Sequence, residues 1–149
     1  MKSTKRLMRP GIKIVLDTNV LISALLSSGY PSDILFLILE RKVLLCLSSE
    51  VLDEYKDVVN RNKFAKIKNF QLNATLVLNR LESCANYFSP KRKVEILRDL
   101  SDNKFLELAL SSGADFLVTG NSNDFTIKEF GVTKVLNPKE FVDYISYPI

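Results

Sequence analysis

Short apolar runs alternate along the chain with longer stretches in which apolar residues recur at helical spacing. The runs that predict buried strands are Ile12–Leu16, Val43–Leu47, Phe116–Thr119 and Val132–Leu136, with a shorter one at Asn86–Ser89. The stretches that predict helices are Thr18–Ser28, Ser32–Arg41, Ser49–Asn60, a longer one within Asn69–Cys84, Ser101–Ser111 and Pro138–Ile145. This alternation predicts an α/β fold in which helices cover both faces of a parallel sheet. Functional sites of such sheets lie beyond the carboxyl ends of the strands.

The length of 149 residues suits one domain over residues 1–149, in which residues 1–11 form a basic N-terminal extension that could be flexible. No apolar stretch approaches the roughly 20 residues that span a bilayer, and the basic N-terminus lacks the apolar segment of a secretory signal. We therefore expect a cytoplasmic protein with no membrane partner. Cys46 and Cys84 show no paired spacing, which favours reduced core thiols over a disulfide or a zinc site.

The chain contains no histidine. Catalysis by Ser-His-Asp or Cys-His groups and zinc binding by imidazole are therefore excluded. Any hydrolytic chemistry has to use carboxylates, together with a metal that prefers oxygen ligands.

The net charge is +4, and some of the basic residues form three clusters along the sequence. They are Lys2, Lys5, Arg6, Arg9 and Lys13; Arg61, Lys63, Lys66 and Lys68; and Lys91, Arg92 and Lys93. Such clusters usually form solvated surface, and composition alone favours that interpretation over binding of a polyanion.

Two acidic residues of the first half occupy positions next to predicted core elements. Asp17 directly follows the first strand and so lies at its carboxyl end, although it could equally cap the next helix. Glu54 borders the apolar face of the Ser49–Asn60 helix, whereas Glu50, Asp53 and Asp57 point further toward solvent. Glu54 is the acid of this helix that can best turn inward, although glutamates at such borders are common.

Asp102 precedes Phe105 by three residues and Leu106 by four, which places it on the apolar stripe that those residues form with Ala109 and Leu110. A charge on this stripe has to be paired, to cap the helix or to bind a metal, because burying it alone is costly. Capping is the ordinary alternative, since acids suit the first turn of a helix.

Asp124 follows the predicted strand Phe116–Thr119, again at a carboxyl end, although Asn121 to Asp124 could form an ordinary polar turn. Four acids from separate segments can thus converge on one edge of the sheet. Carboxylates crowded together repel one another unless cations neutralise them, and a cluster without histidine suits Mg²⁺ or Mn²⁺.

The chain resembles the PIN domain in four segments that follow in the same order: VLDTNVLISAL, LSSEVLDEYKDVV, LRDLSDNKFLELALSSGADFLVTGNSNDF and VLNPKEFV. This order over residues 12–142 is far more specific than any single motif. The resemblance is strongest to VapC-like prokaryotic PIN proteins, the toxin components of toxin–antitoxin pairs. It implies a three-layer, Rossmann-like α/β/α sandwich around a parallel sheet, and a metal-dependent endoribonuclease that cuts single-stranded RNA.

Carried over by motif, the resemblance implies a catalytic set that binds one or two Mg²⁺ or Mn²⁺ ions: Asp17, Glu54, Asp102 and Asp124. The implied supporting polar residues near the metal or the phosphate are Thr18, Asn19, Thr119 and Asn121. The implied partners are single-stranded RNA, an antitoxin protein and a second copy of the chain in a homodimer. The alternative is a PIN fold that binds RNA or a protein without cleaving RNA, and the acids alone do not exclude it.

Overall fold

A computed structural model describes residues 11–93, 102–120 and 128–146. The strands are β1 (Lys13–Leu16), β2 (Leu44–Leu47), β3 (Asn86–Tyr87), β4 (Phe116–Val118), β5 (Glu129–Phe130) and β6 (Thr133–Leu136). The helices are α1 (Thr18–Leu26), α2 (Tyr30–Leu39), α3 (Ser49–Val59), α4 (Phe70–Cys84), α5 (Asn103–Ser112) and α6 (Pro138–Ser146), with a 3₁₀ turn at Asn62–Phe64. Most of the predicted N-terminal extension lies outside the described residues.

The strands of the described residues form one six-stranded sheet in the order β3-β2-β1-β4-β6-β5. All neighbouring strands are parallel except β5, which runs antiparallel to β6. The predicted α/β class with a central, mostly parallel sheet is therefore confirmed. The hairpin between β5 and β6 was not predicted, because a strand of two residues is too short to show an apolar pattern.

The centre of the core lies on β1, β2 and β4, whose side chains are almost completely buried. Helix α5 packs against these three strands and ends at Gly113, which adopts the left-handed conformation (φ +66°) that glycine tolerates best. Cys46 is buried in β2 and Cys84 is half-buried at the end of α4, and neither forms a disulfide within the described residues.

The start of helix α2 differs from the predicted one for a reason of local chemistry. Helix α2 begins at Tyr30 rather than at Ser32, because Pro31 fits the first turn of a helix, where its missing N–H costs nothing.

No single helix of the described ranges is long and apolar enough to cross a membrane. Helices α1 and α2 reach that length and composition only as a pair, with a bend of 100° between them.

The prediction that Leu110 belongs to the buried stripe of α5 is wrong, since its side chain is 37% exposed. The buried face of α5 is centred on Phe105, Leu108, Ala109 and Ser112. At about 100° per residue, Leu110 lies roughly 150° around the helix from that centre. The stripe is thus rotated toward Leu108, which packs fully inside.

Candidate active site

A cavity of about 240 Å³ opens where β1 ends, between α1, α3 and the beginning of α5. Its acidic and polar lining consists of Asp17, Thr18, Asn19, Glu54 and Asp102. Its remaining lining is basic or apolar, with Arg61, Lys63, Ile22, Val58 and Phe64. The structure therefore brings three of the four sequence-predicted acids to one cavity. Asn121 and Asp124 lie outside the described residues, so their part in the site stays a prediction.

Asp17 is held by the sheet and by helix α1 at once. Its backbone N–H donates to the carbonyl of Val118 at 3.0 Å, which continues the pairing of β1 with β4. Its carboxylate accepts a 2.6 Å hydrogen bond from the hydroxyl of Thr119 and a 3.4 Å bond from the N–H of Asn19. The second bond makes Asp17 the N-cap of α1. The capping role and the place in the cavity therefore belong to the same side chain.

Burial dominates the electrostatics of Asp17, which is only 3% exposed. Loss of solvation raises the pKa of this carboxyl above its ordinary value, and the negative charge of Glu54 raises it further. Hydrogen bonds from Thr119 and Asn19 lower the pKa but do not offset the burial. The ionised form of Asp17 therefore gains from any cation that enters the cavity.

Helix α3 places Glu54 beside Asp17. The side chain of Ser48 caps this helix by accepting a 3.2 Å hydrogen bond from the N–H of Val51. Tyr55 is completely buried and donates a 2.6 Å hydrogen bond to the carbonyl of Leu16. Burial and the nearby charges of Asp17 and Glu54 raise the pKa of Tyr55 well above its ordinary value, so this hydroxyl stays a neutral donor.

Glu54 is half-buried, whereas Glu50, Asp53 and Asp57 of the same helix are exposed, as the helical pattern predicts. One of its carboxylate oxygens, Oε2, accepts a hydrogen bond from the hydroxyl of Thr18. The other, Oε1, accepts from the ammonium group of Lys104 at 2.5 Å. Thr18 and Lys104 therefore each contact one oxygen of Glu54, and the supporting role of Thr18 near a metal or phosphate stays a prediction.

Asp102 stands at the N-cap position of α5 and is half-buried. Within the described part of the chain, its side chain makes no capping hydrogen bond to this helix. Asp102 lines the cavity that Asp17 and Glu54 share.

The basic side of the cavity comes from the segment that follows α3. Arg61 forms an ion pair of 3.3 Å with Asp57, one turn earlier, and Lys63 lies 5.2 Å from the centre of the Phe64 ring. Phe64 is itself buried and stacks on Phe70, which anchors the segment. Two members of the second basic cluster thus face the acids across one opening.

The third basic cluster lies elsewhere. Lys91 and Arg92 line a separate cavity of about 360 Å³ together with Glu107. Lys93 approaches Glu107 at 4.0 Å. This cluster therefore has an acidic neighbour of its own and does not contribute to the lining of the acidic cavity.

The donor atoms of the cavity suit a hard divalent cation, because they are carboxylate and hydroxyl oxygens without nitrogen or sulfur ligands. However, no group of three or more acids within the described ranges lies close enough together to hold a metal as it stands. The ion pair with Lys104 engages one carboxylate oxygen of Glu54. The residue types suit a divalent metal, but the described acidic side chains do not surround one common position.

The family model described as PIN domain matches residues 13–123, and the chain belongs to the PIN domain family. An uncharacterized protein of Methanocaldococcus jannaschii, MJ1680, is 31% identical over 141 residues, which cover 89% of this chain and 90% of that protein.

Two solved structures share the fold. VapBC2 from Rickettsia felis, bound to a DNA fragment from its promoter, superposes with a TM-score of 0.53 and 19% identity. It covers 84% of this chain and 98% of the solved one. FitAcB from Neisseria gonorrhoeae gives a TM-score of 0.51 and 21% identity, over 85% and 98% of the two chains. These likenesses confirm the PIN fold that the sequence predicts.

Proposed function

We propose that this protein is a metal-dependent endoribonuclease that hydrolyses phosphodiester bonds of single-stranded RNA. The observation that carries the proposal is the single cavity in which Asp17, Glu54 and Asp102 face Arg61 and Lys63. Carboxylates can hold a divalent cation, and basic side chains can hold the phosphates of a nucleic acid. Membership of the PIN domain family supports nuclease chemistry of this general kind.

Mg²⁺ or Mn²⁺ held by Asp17, Glu54 and Asp102, with Asp124 as a fourth ligand, would activate a water molecule and neutralise charge on the phosphate. The chain's own residues orient these ligands. Thr119 and the N–H of Asn19 fix the carboxylate of Asp17. The nucleophile in this proposal is the water molecule that the metal would activate, so no side chain has to attack the phosphate.

Arg61 and Lys63 have the complementary task in this proposal. Their charges attract the phosphates on either side of the scissile bond and hold the strand across the opening. The choice of RNA over DNA rests on the resemblance to PIN toxins, since no residue of the cavity can be assigned to a 2′-hydroxyl.

The direct test is to incubate the full chain with single-stranded RNAs of varied sequence in Mg²⁺ or Mn²⁺, with single-stranded DNA alongside. We expect cleavage of RNA that EDTA abolishes and that Asp17→Asn and Glu54→Gln reduce by at least about 100-fold. Asp53→Asn is the matched control, because Asp53 is exposed on the same helix as Glu54. Cleavage that survives Asp17→Asn, or no cleavage with either metal, would contradict the proposal.

We further propose that the nuclease is the toxin of a toxin–antitoxin pair and acts as a homodimer. Support comes from the family resemblance and from the fold shared with VapBC2 and FitAcB. Expression of the wild type is expected to arrest growth, Asp17→Asn is not, and co-expression of an adjacent gene is expected to relieve the arrest. Light scattering on the purified chain tests the dimer. Growth without arrest under strong expression would count against the toxin role but not against the nuclease.

A PIN fold that binds RNA without cleaving it is the second candidate. The observation in its favour is the pairing of Glu54 with Lys104, since a lysine on an acid of the site opposes metal binding. This candidate predicts that RNA binding is unaffected by EDTA and by Asp17→Asn and that no cleavage occurs. The cleavage assay above therefore separates the two candidates in one experiment.

A further inference from the structure

The ion pair between Lys104 and Glu54 differs from the other ion pairs of the described residues. Its side chains are only 13% and 21% exposed, and its N–O distance is 2.5 Å. The pair of Lys139 and Asp143, by comparison, is 63% and 57% exposed and joins neighbouring turns of one helix. Solvent screens an exposed pair of that kind, whereas a shielded pair retains much of its attraction.

The pair also joins two separate elements at the edge of the cavity. Glu54 belongs to α3, and Lys104 lies in the first turn of α5, two residues after Asp102. The ring of Phe105 lies 5.9 Å from the ammonium group and offers it a second favourable contact. Lys104 thus places its charge against Glu54, which is one of the acids that line the cavity.

Both oxygens of Glu54 are engaged, by the hydroxyl of Thr18 and by Lys104. The two donors differ in charge. A hydroxyl can stay beside a carboxylate that binds a metal, because it is neutral. An ammonium group at hydrogen-bond distance repels a divalent cation that approaches the same oxygen atoms.

We propose that Lys104 is an internal counter-ion that competes with a divalent metal for Glu54 and has to leave this carboxylate when the metal binds. The inference rests on the proposed function, because it concerns the metal site of that nuclease. It assigns Lys104 as a positioning residue: the lysine holds Glu54 in the metal-free protein and weakens the affinity of the site for the metal.

The competition predicts opposite effects on stability and on metal binding. Without a metal, Lys104 neutralises part of the charge that Asp17 and Glu54 bring together, so its removal lowers the melting temperature. With a metal present, the repulsion that Lys104 exerts is gone, so its removal raises the affinity. A lysine with a purely structural role would lower the melting temperature by the same amount with and without metal.

The experiment measures Mn²⁺ binding by calorimetry and melting temperature in EDTA and in excess Mn²⁺, on the full chain. The variants are Lys104→Met and Lys104→Gln, which remove the charge, and Lys104→Arg, which keeps it. Lys139→Met is the matched control, because it removes a lysine from an exposed pair. Two neutral variants are included so that one misfolded variant does not decide the result.

We expect the neutral variants to bind Mn²⁺ about tenfold more tightly than the wild type, and Lys104→Arg and Lys139→Met to stay near the wild type. We also expect the loss of melting temperature in the neutral variants to shrink or vanish in Mn²⁺. Binding by the neutral variants alone, with none by the wild type, would support the competition as well. Unchanged or weaker binding in the neutral variants overturns it, as does a failure of every variant to bind Mn²⁺.

The outcome for the nuclease is read separately, from cleavage by the wild type. Metal-dependent cleavage together with unchanged Mn²⁺ affinity in the neutral variants would leave the proposed function intact and remove only the role of Lys104. Tighter Mn²⁺ binding in the neutral variants without RNA cleavage by any of the proteins would support the role of Lys104 and contradict the nuclease function.

Discussion

The hydroxyl of Tyr55 donates a 2.6 Å hydrogen bond to the carbonyl of Leu16, and each of these residues adjoins an acid of the site. Tyr55 directly follows Glu54 in α3, and Leu16 directly precedes Asp17 at the end of β1. The bond therefore links the two backbone segments that present these carboxylates. The core and the site are held by the same contact.

Tyr55→Phe should lower the free energy of unfolding by about 1–3 kcal/mol, because it leaves the buried carbonyl of Leu16 without this donor. Urea denaturation measures the change. Tyr87→Phe is the matched control, since the Tyr87 hydroxyl bonds the carbonyl of Glu82 at the surface and its loss should cost less than about 0.5 kcal/mol. Equal losses of unfolding free energy in the two variants would show that the hydrogen bond from Tyr55 to Leu16 stabilises the fold no more than a surface hydrogen bond does.

Asp17→Asn should stabilise the metal-free protein at neutral pH, by roughly 1 kcal/mol, while it removes activity. Burial raises the pKa of Asp17 in the folded protein, so the folded state binds this proton more tightly than the unfolded chain does. The ionised carboxylate therefore destabilises the fold above its raised pKa. This penalty shrinks as the pH falls through that pKa and is gone below the ordinary value of 3.8.

The check is urea unfolding in EDTA from neutral to acidic pH, for the wild type and for Asp17→Asn. The two stability curves should converge as the pH falls. Asp53→Asn, on an exposed position, should follow the wild type throughout. If the stability of the wild type relative to Asp17→Asn does not rise as the pH falls, burial does not raise the pKa of Asp17 in the folded protein.

Thr119→Val should move the acid side of the pH–activity profile to higher pH. The hydroxyl of Thr119 bonds the ionised carboxylate of Asp17 and lowers its pKa, so its removal raises that pKa further. Thr133→Val is the matched control, because the Thr133 hydroxyl is also buried and also makes a 2.6 Å bond, to the carbonyl of Ala114. Both variants should lose about 1–3 kcal/mol of stability, but only Thr119→Val should shift the profile.

Arg61→Ala and Lys63→Ala should each weaken RNA binding by about three- to tenfold and reduce the dependence of log K on log salt by about one. Filter binding with Asp17→Asn as the background protein measures this without cleavage. Lys139→Ala removes an equal charge from α6 and should leave the salt dependence unchanged. A loss of affinity without any change of slope would mean that these residues do not neutralise phosphates.

Much of the fold could be predicted because β1, β2 and β4 are continuous apolar runs and the long helices show clear periodicity. Asp17 could be placed because it follows a strand, and Glu54 because it borders an apolar face. The ion pair between Glu54 and Lys104 could not be predicted, because it joins residues 50 positions apart. No local sequence pattern indicates which lysine pairs with which acid. The predicted burial of Leu110 was wrong for a related reason. The packing of α5 against the sheet, and not the sequence of the helix, decides which side of α5 is buried.

The two sides of the cavity have different structural origins. Asp17 is fixed by backbone pairing between β1 and β4 in the centre of the sheet, whereas Arg61 and Lys63 sit on a short connection around the 3₁₀ turn Asn62–Phe64. Substitutions in that connection leave the strand ladder untouched. In the proposed nuclease, an exchange of these surface residues would therefore change how tightly the phosphates of the RNA are held and would leave the carboxylate of Asp17 in place.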